Sequence, residues 1–140
     1  MNPKSIGEKT EAIVLAELIK NDYTVLLPFG DNQRYDFVII IESTFKRLQC
    51  KTGKLKNGSI WFRACSTQSN MQRTKTINYR GEVDYFIVHC YENEETYLIP
   101  VEDVGVSNVA LRIEKLPKTS PYSTTRWAKE YKLRRTNNNA

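Results

Sequence analysis

The stretch RYDFVIIIESTFKRLQCKTGK, residues 34–54, decides the fold. Asp36 heads an apolar run, and Gln49 and Lys51 stand two residues apart in the run that follows. Isoleucine, valine and phenylalanine favour strands, so YDFVIIIE and FKRLQCKT read as two strands with Ser43-Thr44 as the reversal. Alternation puts Asp36, Val38 and Ile40 on one face, and Gln49 and Lys51 together on a face of the next strand. With the reversal centred on residues 42–44, Asp36 lies across the hairpin from Gln49 or Lys51. Directly opposed side chains are about 5 Å apart at Cβ. Three polar groups therefore converge inside runs that otherwise read as core.

Upstream, NPKSIGEKTEAIVLAELIKND reads as a helix. Asn2 or Ser5 caps it, Pro3 is tolerated in the first turn, and Asn21-Asp22 ends it. At about 100° per residue, Val14, Leu15, Leu18 and Ile19 form the inward stripe. Glu11 falls in the middle of that stripe, with Glu8 on its flank. A carboxylate on a buried face is costly unless it is paired or bound to a cation. Glu8 is set aside as a solvated first-turn charge.

Residues 23–29 read as a strand and GDNQR as a turn. After Gly53, KLKNGSIWFRAC reads as a loop and a strand, with Asn57-Gly58 a tight turn. STQSNMQRTKTINYRG is expected to be a basic loop with a helical turn or short helix. EVDYFIVHCY, TYLIPVEDV and NVALRIEKL read as further strands, and the segment carrying Trp127 and Tyr131 as a short helix that then frays. Trp61, Phe62 and His89 are expected to be packed. The order is helix, then strands, then basic elements. It predicts an α/β or α+β layer on a mixed sheet, within one domain spanning residues 1–140.

A composition of 40% hydrophobic and 26% charged residues fits a folded soluble protein. No apolar run approaches the ~20 residues of a bilayer span, so an intracellular, cytoplasmic protein with no membrane partner is expected. Three cysteines without CxxC pairing and one histidine argue against structural zinc. The net charge of +5 is unevenly spread. Residues 46–80 carry nine basic and no acidic side chains, whereas 81–103 carry seven acidic and no basic. The basic block suits a polyanion, and the expected partner is double-stranded DNA. Lys54, Lys56, Asn57, Arg63, Gln68, Asn70, Gln72, Arg73, Lys75 and Arg80 are the candidate contacts: cations for phosphate and amides that can read adenine edges. From about residue 122 a basic tail ending in KLRRTNNNA is either a phosphate-contacting arm or a free end.

Glu11, Asp36, Gln49, Cys50 and Lys51 form a set with a chemistry. Phosphodiester hydrolysis needs a divalent cation to neutralise the phosphate and acidify a water. Magnesium prefers hard oxygens, with one or two carboxylates plus waters. Asp36 suits the central ligand, Glu11 a second, and the Cys50 backbone carbonyl a third. Gln49 offers a neutral oxygen where a carboxylate is more usual. Lys51 can orient the water or steady developing charge. Each residue also has an ordinary reading: an edge-strand lysine, a structural glutamine, a helix acid paired with a core cation.

GEKTE (residues 7–11), RYDFVI and QCK together resemble the PD-(D/E)XK nuclease superfamily, the fold of type II restriction enzymes, archaeal Holliday-junction resolvases and some intron-encoded homing endonucleases. LLPFGDNQRYD and QCKTG resemble the cyanobacterial-type homing endonucleases of group I introns within it. Tyr35 stands where the motif has proline, and Gln49 where it has an acid. The resemblance implies a mixed central sheet flanked by helices, with Glu11, Asp36, Gln49 and Lys51 as active-site residues. It also implies Mg2+ or Mn2+ as cofactor, sequence-specific double-strand cleavage leaving 5′-phosphates, and a homo-oligomer, dimer or tetramer. Three alternatives stay open: a junction-resolving nuclease of the same fold, a catalytically silent DNA-binding module, and an interaction protein without nucleic acid.

Overall fold

The computed structural model describes residues 2–114 and 125–137. One α-helix, α1 (Pro3–Lys20), precedes nine strands: β1 (Val25–Leu26), β2 (Phe37–Ile41), β3 (Thr44–Lys56), β4 (Ser59–Arg63), β5 (Cys65–Ser69), β6 (Thr74–Asn78), β7 (Tyr85–Cys90), β8 (Glu95–Pro100) and β9 (Asn108–Arg112). Short 3₁₀ turns follow at Val101–Asp103 and Ala128–Glu130.

β3 organises the molecule. Its first residues pair antiparallel with β2, residues 48–53 pair parallel with β7, and residues 54–56 pair antiparallel with β4. β7 continues to β8, and β4 to β9. β5 and β6 pair only with each other, as a separate two-stranded sheet. The β2–β3 reversal uses Glu42 and Ser43, both at positive φ, and β3–β4 uses Asn57-Gly58, also both positive. These are two-residue turns of the mirror-image kind, whose twist matches that of the strands they join.

Strand alternation splits the core in two. Leu48 and Cys50 of β3 face α1 and pack with Val14, Leu18, Phe37, Ile39 and Ile87. The opposite face meets a second cluster, including Ile60, Phe62, Tyr79, Phe86, Val88 and Ile99. Gly53 lies on that side. A Cβ there would stand 2.8 Å from Ile60 Cγ2 and 2.9 Å from Val88 Cγ1, so the packing of β3 on its neighbours requires glycine.

The mixed central sheet is as expected, though several finer expectations need correction. α1, the only α-helix among the described residues, packs against one face of it. The centre of its buried stripe is Thr10, Val14 and Leu18, while Ile19 is 58% exposed. Thr10 has that place because its hydroxyl is fully used, bonding Ile6 O at 2.9 Å and the Thr52 and Tyr91 hydroxyls at 2.8 Å each. Glu11, one residue on, is turned to the rim. The expected strand at 23–29 shrinks to two residues, and KLK extends β3 instead of forming a loop. STQSNMQRTKTINYRG holds the β5–β6 hairpin, not a helical turn. It has no apolar alternation to announce it, because its strands bury almost nothing. Trp61 is 43% exposed, whereas Phe62 and His89 are packed as expected.

Over residues 131–136 the C-terminal segment is docked on the fold and is not a free end. Leu98 N–H donates to Tyr131 O, Leu133 N–H to Thr96 O, and Thr136 N–H to Asn21 O. Leu133 is buried in the α1-side core. The tail residues beyond 137, and those of 115–124, lie outside the described residues. Among the described residues no helix is long and apolar enough to cross a membrane.

Candidate active site

β2 stops one residue short of what β3 offers. Asp36 N–H still donates to Leu48 O, but the next inward-facing amide, Cys50 N–H, has no strand partner on that side. The Asp36 carboxylate takes it, with Oδ2 accepting at 2.9 Å. Asp36 thereby closes the ladder with its side chain and stands at the β2–β3 edge with its other oxygen free of this bond.

Glu11 approaches from α1. The buried Thr10 network fixes the helix against β3 and β7, and the following residue meets Asp36. The two carboxyls act on one another, and each titrates above its ordinary value. For Glu11 the largest cause is loss of water, followed by the Asp36 charge and, more weakly, Glu8. For Asp36 the cause is again burial, partly offset by the Cys50 N–H bond, the Lys51 charge and the bond with the Glu11 carboxyl. The pairing therefore raises Glu11 and lowers Asp36, as expected of two close acids of which one keeps its proton. Burial pushes the Cys50 thiol well up as well, which leaves its backbone carbonyl as the donor it can offer.

Gln49 and Lys51 follow the other face of β3. Gln49 folds along its own strand and donates Nε2–H to Cys50 O at 3.2 Å. Lys51 points toward the second core, where Nζ donates to Cys65 O at 3.2 Å and to the Tyr79 hydroxyl at 3.1 Å. Glu11, Asp36 and the Cys50 backbone are thus drawn together directly. Lys51 acts on Asp36 through its charge, with its amine anchored elsewhere, and Gln49 reaches the set through the Cys50 carbonyl.

Beside the acids opens a cleft of about 540 Å³ lined by Glu8, Glu11, Leu15, Pro28, Asp31, Tyr35 and Asp36. Glu8, set aside from the sequence, therefore lines it, and Asp31 joins from the turn that precedes the motif. Neither had a signal in the sequence beyond its charge. Two further residues escaped notice. Tyr79 receives Lys51, and Arg34, the first residue of the decisive stretch, lies 4.0 Å over the Tyr79 ring. Its guanidinium donates to Glu82 Oε2, Ser66 Oγ, Ile77 O and Asn78 O.

Among the described residues no three His, Cys, Asp or Glu side chains form a metal-holding group. Gln49 adds an amide beside the two acids, bonded to the Cys50 carbonyl. The donors that do converge are two carboxylates and a carbonyl, all hard oxygens. The mutual repulsion of the two carboxylates is what a divalent cation would relieve, so the residues fit Mg2+ or Mn2+.

The candidate DNA contacts fall into separate groups, all exposed. Lys54, Lys56 and Asn57 surround the β3–β4 turn, and Arg63 ends β4. Gln68, Asn70, Gln72, Arg73 and Lys75 belong to the β5–β6 hairpin and its tip. Asn70 also shapes that tip, with Oδ1 accepting from Gln72 N–H and Arg73 N–H. Arg80 is tied back to Val104 O at 2.8 Å.

Residues 1–134 match a family model described as PD-(D/E)XK endonuclease. A bacterial homing endonuclease, I-Ssp6803I, has a similar solved structure, with a TM-score of 0.72 at 23% identity over 94% of this chain and 89% of that one. At that identity the likeness speaks for the fold. No curated protein matches the sequence.

Proposed function

The chain belongs to the PD-(D/E)XK endonuclease family, and from that premise we propose that it is a magnesium-dependent, sequence-specific homing endonuclease that cuts double-stranded DNA. The observation that carries this reading is the contact of Glu11 with Asp36 beside the Cys50 backbone, in an open cleft. Asp36, Glu11 and the Cys50 carbonyl would hold Mg2+ or Mn2+, with Gln49 as a neutral neighbour. When bound, the cation would acidify a water and neutralise the scissile phosphate.

The chain's own residues do the rest. Asp36 is oriented by the Cys50 N–H, so its free oxygen keeps one direction. Lys51 supplies a fixed positive charge behind the acids, suited to steadying the charge that develops on the phosphate. The β5–β6 hairpin, with Gln68, Gln72, Arg73 and Lys75, and the β3–β4 turn, with Lys54 and Lys56, supply the DNA contacts. One site per chain cuts one strand, so double-strand cleavage calls for a homo-oligomer. The exposed Leu26, Leu27 and Phe45 side chains line one groove, an apolar surface of the kind an interface between copies would use. The protein would act in the cytoplasm, on the nucleoid.

A second reading is a silent DNA-binding module. It is favoured by Gln49, which removes one charge from the site and donates to the carbonyl that would serve as a ligand.

Incubation with a randomised duplex library and with a four-way junction, with and without Mg2+, separates these readings. Discrete Mg2+-dependent cuts in duplexes sharing a sequence are expected. Symmetric nicks confined to the junction would assign a resolvase instead. Sequence-selective binding with no cut in Mg2+ or Mn2+ would assign the silent module.

A further inference from the structure

The β5–β6 hairpin pairs with nothing but itself, yet both its feet reach the site. Cys65 opens β5, and Tyr79 directly follows the last residue of β6. Lys51 Nζ donates to the Cys65 carbonyl and to the Tyr79 hydroxyl, and lies 4.7 Å from the Tyr79 ring centre. A lysine stem is flexible and its ammonium a compact point charge. Two directed bonds and a ring face give it a place that the stem alone would not.

Tyr79 is itself firmly held. It is 4% exposed, and its ring packs edge-on against Phe86 at 5.6 Å between centres. Arg34 covers the ring at 4.0 Å and grips Ser66, Ile77 and Asn78 at the hairpin's base. The hydroxyl is thus a rigid acceptor tied on one side to the core and on the other to the hairpin.

We propose that Tyr79 is a positioning residue for Lys51: its hydroxyl and ring fix the place of the ammonium, and tie that place to the seating of the β5–β6 hairpin. The consequence for cleavage rests on the nuclease reading above, whereas the contact itself does not.

Tyr79→Phe keeps the ring and removes the hydroxyl. In the free protein, acetylation of Lys51 by an amine-reactive reagent, read by mass spectrometry against the other lysines, should quicken roughly tenfold or more, the scale of one hydrogen bond to a charged group. Tyr79→Leu, which also removes the ring, should raise it further. On a duplex recovered from the library, single-turnover cleavage by Tyr79→Phe at saturating DNA should slow roughly tenfold. The Kd for that duplex should stay within about twofold of wild type, where a residue that merely shaped the hairpin would weaken binding instead. Unchanged Lys51 labelling in both variants overturns the proposal. Faster labelling with wild-type cleavage rates overturns the positioning role. If the wild type cuts no duplex while labelling responds, the nuclease reading fails and the role in cleavage falls with it, leaving only the contact.

Discussion

Two hairpins of this protein are built on opposite terms. The β2–β3 hairpin is held by burial: Phe37, Ile39 and Leu48 are sealed against α1, and Gly53 lets the layers close. The β5–β6 hairpin is polar on both faces and held at its feet by two cations, Arg34 and Lys51, around Tyr79. The first fixes the acids where small displacements matter. The second leaves a basic, amide-rich surface exposed while remaining wired to the lysine. A buried apolar strand resists displacement because packing is dense. A polar hairpin gripped by a few charged hydrogen bonds can yield locally without unfolding the whole.

If that contrast holds, disturbing each hairpin should break a different thing. The largest effect is expected from Lys51→Ala, which should lower cleavage by about 10³-fold or more while DNA binding persists; wild-type cutting rates would remove Lys51 from the chemistry. Gly53→Ala forces a methyl into Ile60 and Val88, so urea denaturation should show a loss of about 1–3 kcal/mol. A neutral result would mean that the buried hairpin is less tightly packed than its distances imply.

The polar hairpin should respond locally. Arg34→Ala should speed amide exchange across residues 65–78 by an order of magnitude or so while β2 and β3 stay protected. Arg73→Ala, at the tip, should leave exchange alone and instead weaken DNA binding with a shallower salt dependence, by about one unit of slope if it meets a phosphate. Equal protection loss in both hairpins would erase the distinction between them.

The smallest effect concerns the acids. Because Glu11 and Asp36 are raised in the folded protein, the native state binds more protons than the unfolded chain as pH passes from their ordinary values to their raised ones. Their contribution is therefore whole at lower pH and lost as pH rises through their raised values. Asp84, held low by Arg47 bonds that outweigh its own burial, works in the opposite sense, so the comparison must be made between variants. In EDTA, Glu11→Gln should gain stability relative to wild type as pH rises, by no more than about 1 kcal/mol at neutrality. Parallel pH curves would show that the acids do not oppose one another. Added Mg2+ should stabilise wild type more than the variant.

What the sequence determined alone was local and periodic. Alternation and a two-residue turn were enough to set Asp36 beside the strand of Gln49 and Lys51, because strand register follows directly from turn length. Helical periodicity located α1, with Asn2 one of two cap candidates, and the composition of residues 46–80 marked a basic block suited to a polyanion. Only the folded chain decided the remainder. Thr10, not Glu11, took the buried centre of the helix, because a threonine whose hydroxyl finds three partners is cheaper to bury than a carboxylate. The β5–β6 strands left no apolar pattern to read, since their pairing is backbone against backbone and their anchorage comes from Arg34, more than thirty positions away in the chain. Where the Lys51 amine rests was equally invisible, because its partners, Cys65 and Tyr79, meet only when the hairpin's two feet close on β3.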